Sequence, residues 1–550
     1  MKNSWSRLGL AAVFTALLAI PHAGAADLDM DRLISPDQAR ALSGKVWQGS
    51  AAGRYLAGRL AQTEKEYGKA ADFLEDALSW DPNNLELRRR VFLLMLADGR
   101  LQEALAHAYP LERAQAETLL PTVAQAAAAV GKKDYAAALG LFGRLDNNSV
   151  AGLIRLLGQA WSALGTGDIT AARAVLEFQE NQPRWGSMIA VHRALIEDVG
   201  GGDPVQAYAA LADSDLTQSP RALDLLENFR ARQDDTTVEP LVGTVEEGLG
   251  EGFFSIAAAL NRGDRDLSAL IYGQIGLAID PEHDMLRLLV ADTIADQERY
   301  GDAAVMFASI AESSPHYYDA QIARARNLAS ADRIEDARGV LQELADEYPE
   351  KAEAPSVMGD MLRRDSRFAE AVAAYDEAAK RLGEITAEHW RLLYSRGIAL
   401  ERSGNWQRAE QDLRTALSFE KNQAYVLNYL GYSWIDRGEN LEEAKEMVRR
   451  AAKLRPKDGF IVDSLGWAHF RTGEYAEAVG ELERAVTLEP LDPVINEHLG
   501  DAYWQVGREV EARFQWQRAL NLEPEDELVP VLEEKLRCGI DGCTVTGKTD

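Results

Sequence analysis

The residues of this chain that could do chemistry are few, and their spacing rarely suits the chemistry. Gly542-Cys543-Thr544-Val545-Thr546-Gly547-Lys548-Thr549 fits the phosphate-binding pattern G-x-x-x-x-G-K-[ST]. That loop works only between a buried strand and a helix whose first amides hold the phosphate. Here a single residue, Asp550, follows and helical segments precede, so the pattern reads as a coincidence of composition. The histidines (His22, His107, His192, His283, His316, His389, His469 and His498) are scattered with no H-E-x-x-H pair and read as surface or interhelix side chains. No G-x-S-x-G elbow is present, and the plentiful carboxylates read as solvated helix faces. Cys538 and Cys543 are separated by a stretch containing Gly539 and Gly542, so the sequence predicts a short local disulfide in an oxidising compartment, the alternative being two free thiols. No enzyme activity, metal or cofactor is expected.

What remains must be a surface, and composition narrows its partners. A chain of 550 residues exceeds what one core organises, which points to several domains or a repeat array. Its 88 acidic and 59 basic side chains give a net charge of −29, which repels phosphate backbones and excludes a nucleic-acid partner. At the N-terminus, Lys2 and Arg7 precede an apolar run from Leu8 to Ile20, then Pro21 and Ala23-Gly24-Ala25. This order describes a secretory signal peptide over residues 1–25, the alternative being a buried N-terminal helix. No cysteine stands at the cleavage site for lipid attachment, and no later stretch is long and apolar enough to span a bilayer. The mature protein is expected to be exported and soluble, in a bacterial periplasm.

The elements that would carry such a surface repeat at a fixed interval. Pro456, Pro490 and Pro524 are 34 residues apart, and Gly397, Gly431, Gly466 and Gly500 follow at 34, 35 and 34. The last unit runs Leu499, Gly500, Tyr503, Ala512, Trp516, Ala519, Pro524; the two before it repeat the order through Gly466, Ala478, Leu482, Ala485 and through Gly431, Trp434, Ala444, Val448, Ala451. Glycine and alanine at these offsets allow close helix approach, larger apolar residues fill the gaps, and proline ends the second helix. The period and offsets resemble the tetratricopeptide repeat, whose fold is all-α: a right-handed superhelical solenoid of helix-turn-helix units.

Weaker copies follow upstream at Gly359, Ala371, Tyr375 and Ala378, then Ala325 to Pro349, Ala291 to Pro315, and Ala257, Leu260, Ala269 and Pro281. Gly58, Ala70, Leu74 and Ala77 mark an N-terminal unit. The expected organisation is degenerate repeats over 26–245, a regular array over 246–525 and a tail over 526–550, with about eleven to thirteen helical pairs in all. In such an array the first helix of each unit lines a concave groove. Counted from the glycine, the groove residues are Tyr394, Asn428, Tyr432, Asp463, Trp467, Phe470, Arg471, Asp501 and Trp504. Aromatic area with a few polar groups suits a peptide-binding face. The other reading is that the tryptophans merely pack against neighbouring turns.

The run Asp463-Ser464-Leu465-Gly466-Trp467, with Asp501-Ala502-Tyr503-Trp504 and Ala512-Arg513-Phe514-Gln515-Trp516, resembles a family of exported bacterial tetratricopeptide proteins. That family includes the adaptor lipoprotein of a periplasmic carboxyl-terminal processing protease. The likeness covers about residues 385–525 and implies a non-enzymatic adaptor holding a protease or cell-wall hydrolase. The lipidated cysteine of that adaptor has no counterpart here. A structural or assembly part of an envelope polysaccharide or outer-membrane export machine is the other function class.

Overall fold

The computed structural model describes residues 50–540, apart from 117, 148, 178–185, 213–219, 236 and 262–265. The signal-peptide segment and the Cys538–Cys543 pairing therefore lie outside the described residues. Among those residues there are 28 α-helices and no strand, and no helix is long and apolar enough to cross a membrane. Twenty-six of the helices form thirteen antiparallel pairs, leaving two single helices. The chain divides into two compact units after Pro281.

The second unit holds seven pairs: α14 (Asp284–Asp296) with α15 (Tyr300–Ala308), α16 (Tyr317–Ser330) with α17 (Ile334–Glu347), α18 (Glu353–Arg364) with α19 (Phe368–Leu382), α20 (Trp390–Arg402) with α21 (Trp406–Phe419), α22 (Ala424–Arg437) with α23 (Leu441–Leu454), α24 (Gly459–Arg471) with α25 (Tyr475–Leu488), and α26 (Pro493–Gln505) with α27 (Glu509–Asn521). A last helix, α28 (Leu528–Cys538), packs on α27. The small residues do what their spacing requires. A Cβ added at Gly466 would lie 2.5 Å from Leu482 Cγ, and one at Gly500 would lie 2.5 Å from Trp516. The alanines opposite (Ala444, Ala451, Ala478, Ala485, Ala512, Ala519) have no solvent exposure. Arg455 and Glu489, the residues before Pro456 and Pro490, leave the helical region at φ −131° and −128°, and each following proline, which has no N–H to give, cannot continue α23 or α25. Asp458 and Asp492 then cap the next helices by accepting from the Ile461 and Ile495 amides at 3.3 and 2.9 Å.

The turn inside each pair needs one residue at positive φ. Gly404, Gly438, Gly473 and Gly507 supply it in four repeats, whereas Glu298, Asp332 and Ser366 occupy it in the three before. Exposed Ser366, at φ 58°, carries a left-handed strain of about 1 kcal/mol that glycine does not. Ser366→Gly is expected to stabilise the α18–α19 pair by about 0.5 kcal/mol after glycine's own entropic cost. A lowered denaturation midpoint for this variant would contradict that account.

The first unit begins with α1 (Ala51–Thr63) and α2 (Tyr67–Leu78), where a Cβ on Gly58 would meet Leu74 at 2.5 Å. Pairs α3 (Leu85–Ala97) with α4 (Leu101–Arg113), α5 (Leu119–Gly131) with α6 (Tyr135–Gly143), α7 (Ser149–Gly165) with α8 (Ile169–Glu177) and α9 (Gly186–Val199) with α10 (Pro204–Ala212) follow, then a single α11 (Pro220–Asp234). The final pair, α12 (Val245–Asn261) with α13 (Asp266–Ile279), does not start the second array, as the sequence suggested. It lies along the first helices of the preceding pairs: α13 on α3 and α5, α12 on α7 and α9. The Gly248, Gly250, Gly252 stripe makes this possible. Gly248 sits so close to the Trp161 ring that a Cβ would overlap it, and Gly252 faces Leu157 and His192. Tyr135 Oη donates to Glu246 at 2.6 Å, and Arg221 clamps the buried Glu251 carboxylate at 2.7 and 2.9 Å. The concave face of the first unit is thus filled by its own hairpin.

Candidate partner-binding face of the second unit

In the second unit the first helix of a pair also touches the first helix of the next: α16 with α18, α18 with α20, α22 with α24 and α24 with α26. These helices therefore form the inner curve, and the nine expected residues lie on four of them, α20, α22, α24 and α26. Tyr394 is half-buried between Trp390 and Tyr429, with ring centroids 6.5 and 6.0 Å away, and burial raises its phenol pKa. Asn428 on α22 keeps a buried Oδ1 with no hydrogen-bond partner. Such an acceptor is costly unless something donates to it.

The structure brings five of the others together around a residue that the sequence reading did not select. The Trp467 ring stacks on Phe470 at 4.7 Å and on His498 at 4.1 Å, with interplanar angles of 8° and 12°. The Arg471 guanidinium stands 6.0 Å from the Trp467 centroid and is itself exposed. His498 Nδ1 is 3.0 Å from both carboxylate oxygens of Asp463. Burial alone would keep this imidazole neutral, but Asp463, Glu497 and Asp501 overrule it and push its pKa up to about 9. Tyr432, close to the same carboxylates, has its phenol pKa raised by burial first and by Asp463 and Asp436 next.

Asp463 and Asp501 are not offered to solvent, in contrast to their expected place in an open groove. Both are buried, and a buried carboxylate must be paired. Asp463 is spent on His498. Asp501 accepts from Trp516 Nε1 at 3.0 Å and from Lys535 at 2.7 Å, and burial with Glu497 nearby raises its own pKa to about 6. Lys535, on α28, also pairs with Glu497. Trp504 is covered in the same way: its ring lies 5.4 Å from Trp516, Arg513 packs over it at 5.2 Å, and the Gly539 backbone lies flush against it. The last helix among the described residues, α28, with Gly539 after it therefore closes the Trp504 end of the groove, while Trp467 and Phe470 stay half-buried beside the exposed Arg471.

His498, Glu497 and Lys535 were legible only in part. Glu497 stands three residues before its repeat glycine, the offset shared by Tyr394, Asn428 and Asp463, and His498 follows it. Lys535 lies beyond the last repeat, where the period gives no guidance. Among the described residues no group of three or more His, Cys, Asp or Glu side chains is arranged to hold a metal ion.

Three chains of known structure are similar to this one at low identity. The APC/C hetero-tetramer Cut9–Hcn1 is 15% identical over 92% of this chain and 99% of that one, with a TM-score of 0.39. A tetratricopeptide repeat protein from Parabacteroides merdae is 13% identical over 52% and 97%, at 0.36. MamA from Desulfovibrio magneticus is 20% identical over 32% and 97%, at 0.28. No curated protein sequence matches the chain. Models of the tetratricopeptide repeat match residues 51–84, 295–359, 356–426, 394–459 and 464–525. With matched repeats in both units and paired helices at the spacing read from the sequence, the chain belongs to the tetratricopeptide-repeat proteins, whose helical arrays are protein-interaction scaffolds.

Proposed function

We propose that this protein is an exported, non-enzymatic periplasmic adaptor that holds a cell-envelope protease or cell-wall hydrolase on the inner face of its second unit. The observation that carries the reading is the Trp467–Phe470–Arg471 surface. It combines stacked aromatic area, an exposed guanidinium and, one repeat earlier, the unpaired Asn428 Oδ1. Trp, Tyr and Arg on a preorganised face are the residue types that anchor protein partners. The basic and apolar N-terminal run with Ala23-Gly24-Ala25 supports export, and the likeness of residues 385–525 to the adaptor family supports the partner class.

The test is affinity capture with the mature chain from its own periplasmic extract, repeated with Trp467→Ala plus Arg471→Ala. We expect recovery of a protease or hydrolase with the native face. In the double variant affinity should fall by about thirtyfold or more, as loss of an anchoring aromatic implies, with helicity nearly unchanged. Recovery of envelope-assembly components instead would replace the adaptor with a structural role. Loss of helical signal in the variant would make Trp467 a core residue.

A further inference from the structure

In the second unit an open cleft of about 280 Å3 lies between α21 and α23 and is floored by α22. Its floor is apolar, formed by Leu427, Leu430 and Met447. Its rim carries three cations, Arg414, Lys421 and Arg450, against one carboxylate, Glu443, in a chain whose net charge is −29. Two of the three cations have no carboxylate partner among the described residues. Arg450 donates to the Lys421 carbonyl at 2.8 Å and to Asn422 Oδ1 at 3.0 Å, both neutral acceptors. Lys421 is exposed and enters no ion pair among the described residues. Arg414 gives its Nε to Glu410 at 3.0 Å, while Glu443 comes no nearer than 3.9 Å. The Arg414 guanidinium lies 4.5 Å over the ring of Trp434, another wall of the cleft. Trp434 is fully buried, and its Nε1–H has no acceptor. Two cations, Lys421 and Arg450, thus lack a carboxylate partner among the described residues, and a third, Arg414, stands beside them on a cleft walled by Trp434: the rim has room for an anion.

We infer that this cleft binds a small organic carboxylate carried on a compact branched apolar group. The carboxylate lies among Lys421, Arg450 and Arg414, and the apolar group rests on Leu427, Leu430 and Met447. The size agrees with this: at about 280 Å3 the cleft sits at the small end of ligand pockets, which run from about 300 to 1,000 Å3. The same chemistry comes from the last residue of a peptide or from a free branched acid.

The test titrates the full chain with N-acetyl-leucine, N-acetyl-leucinamide and 4-methylpentanoate. Binding is read by calorimetry and by the Trp434 indole 1H–15N signal, assigned with Trp434→Phe. Both acids should bind and move that signal, and the amide should bind about tenfold more weakly or worse, because it lacks the charge. Lys421→Glu should weaken the acids about tenfold and Glu443→Gln should strengthen them; both side chains are exposed, so neither change threatens the fold. Tighter binding of N-acetyl-leucine than of 4-methylpentanoate identifies a chain terminus as the natural source, and parity identifies a free acid. The inference is overturned if the amide binds as well as the acids. It is equally overturned if Lys421→Glu leaves affinity unchanged, or if neither acid binds at about 10 mM.

Discussion

Trp161→Ala will cost the first unit about 3–5 kcal/mol, the range for truncating a fully buried tryptophan, and will release the α12–α13 hairpin from its face. Three losses coincide at this residue. The ring has no solvent exposure and packs flush against Gly248, so its removal leaves a cavity where the hairpin is held most closely. Its Nε1–H donates to His192 Nδ1 at 3.0 Å, with the rings edge to face at 6.1 Å, so truncation orphans a buried imidazole. Leu157 and His192 then face Gly252 across a loosened contact. Hydrogen exchange resolved by peptide is the appropriate measurement, because two units need not unfold as one. Protection should fall over residues 245–279 and over α7 and α9, while α20 to α27 keep theirs. Unchanged protection at 245–279 would mean that the hairpin is held by something other than this contact.

The two units are expected to respond to pH with opposite signs. His192 is held neutral: burial pushes its pKa down to about 4, against a smaller upward pull from Glu251. Unfolded, it titrates near 6.5, so the unfolded chain binds the extra proton first. Its contribution is fully present above about pH 6.5 and is lost progressively as pH falls towards 4, on the order of 3 kcal/mol in total. His107, whose pKa burial also lowers against the pull of Glu75, adds to the same acid-side loss. His498 is the reverse case, charged in the folded state with a pKa near 9. Its contribution is complete below about 6.5 and is lost as pH rises through 9. Asp501, raised to about 6 by burial and Glu497, also holds its proton more tightly when folded, so it works in the same direction lower on the scale. Exchange protection of the first unit should therefore drop between about pH 7 and 5, and that of the second between about pH 7 and 9. His192→Gln should flatten the first limb and His498→Gln the second. An acid-side loss that survives His192→Gln would assign it to other groups.

Much of this architecture is legible in the sequence because it is encoded locally. The contact between Gly466 and Leu482, or between Gly500 and Trp516, is made within one hairpin, so residue type and offset suffice to predict it. The same holds for Asp458 and Asp492, which cap helices three residues away, and for the prolines that end them. The aromatic cluster is partly legible: the period places Tyr432, Trp467 and Phe470 on one face, and the structure stacks two of them.

What only the tertiary structure decided is which face meets which. Ala257 and Ala269 report that α12 and α13 pair, but the inner faces of a hairpin carry no information about what its outer faces touch. The Gly248 to Gly252 stripe acquires meaning only beside Trp161, some ninety residues earlier in the chain. In the same way Asp463 and Asp501 are acidic residues at groove offsets, and only the positions of His498 and Lys535 turn them inward. The sequence determined the helices, their pairing and their repeat, since those depend on neighbours within about 34 residues. The fold decided that one groove is filled by its own hairpin and that the other is closed at one end by α28, because burial is settled among surfaces that no local spacing specifies.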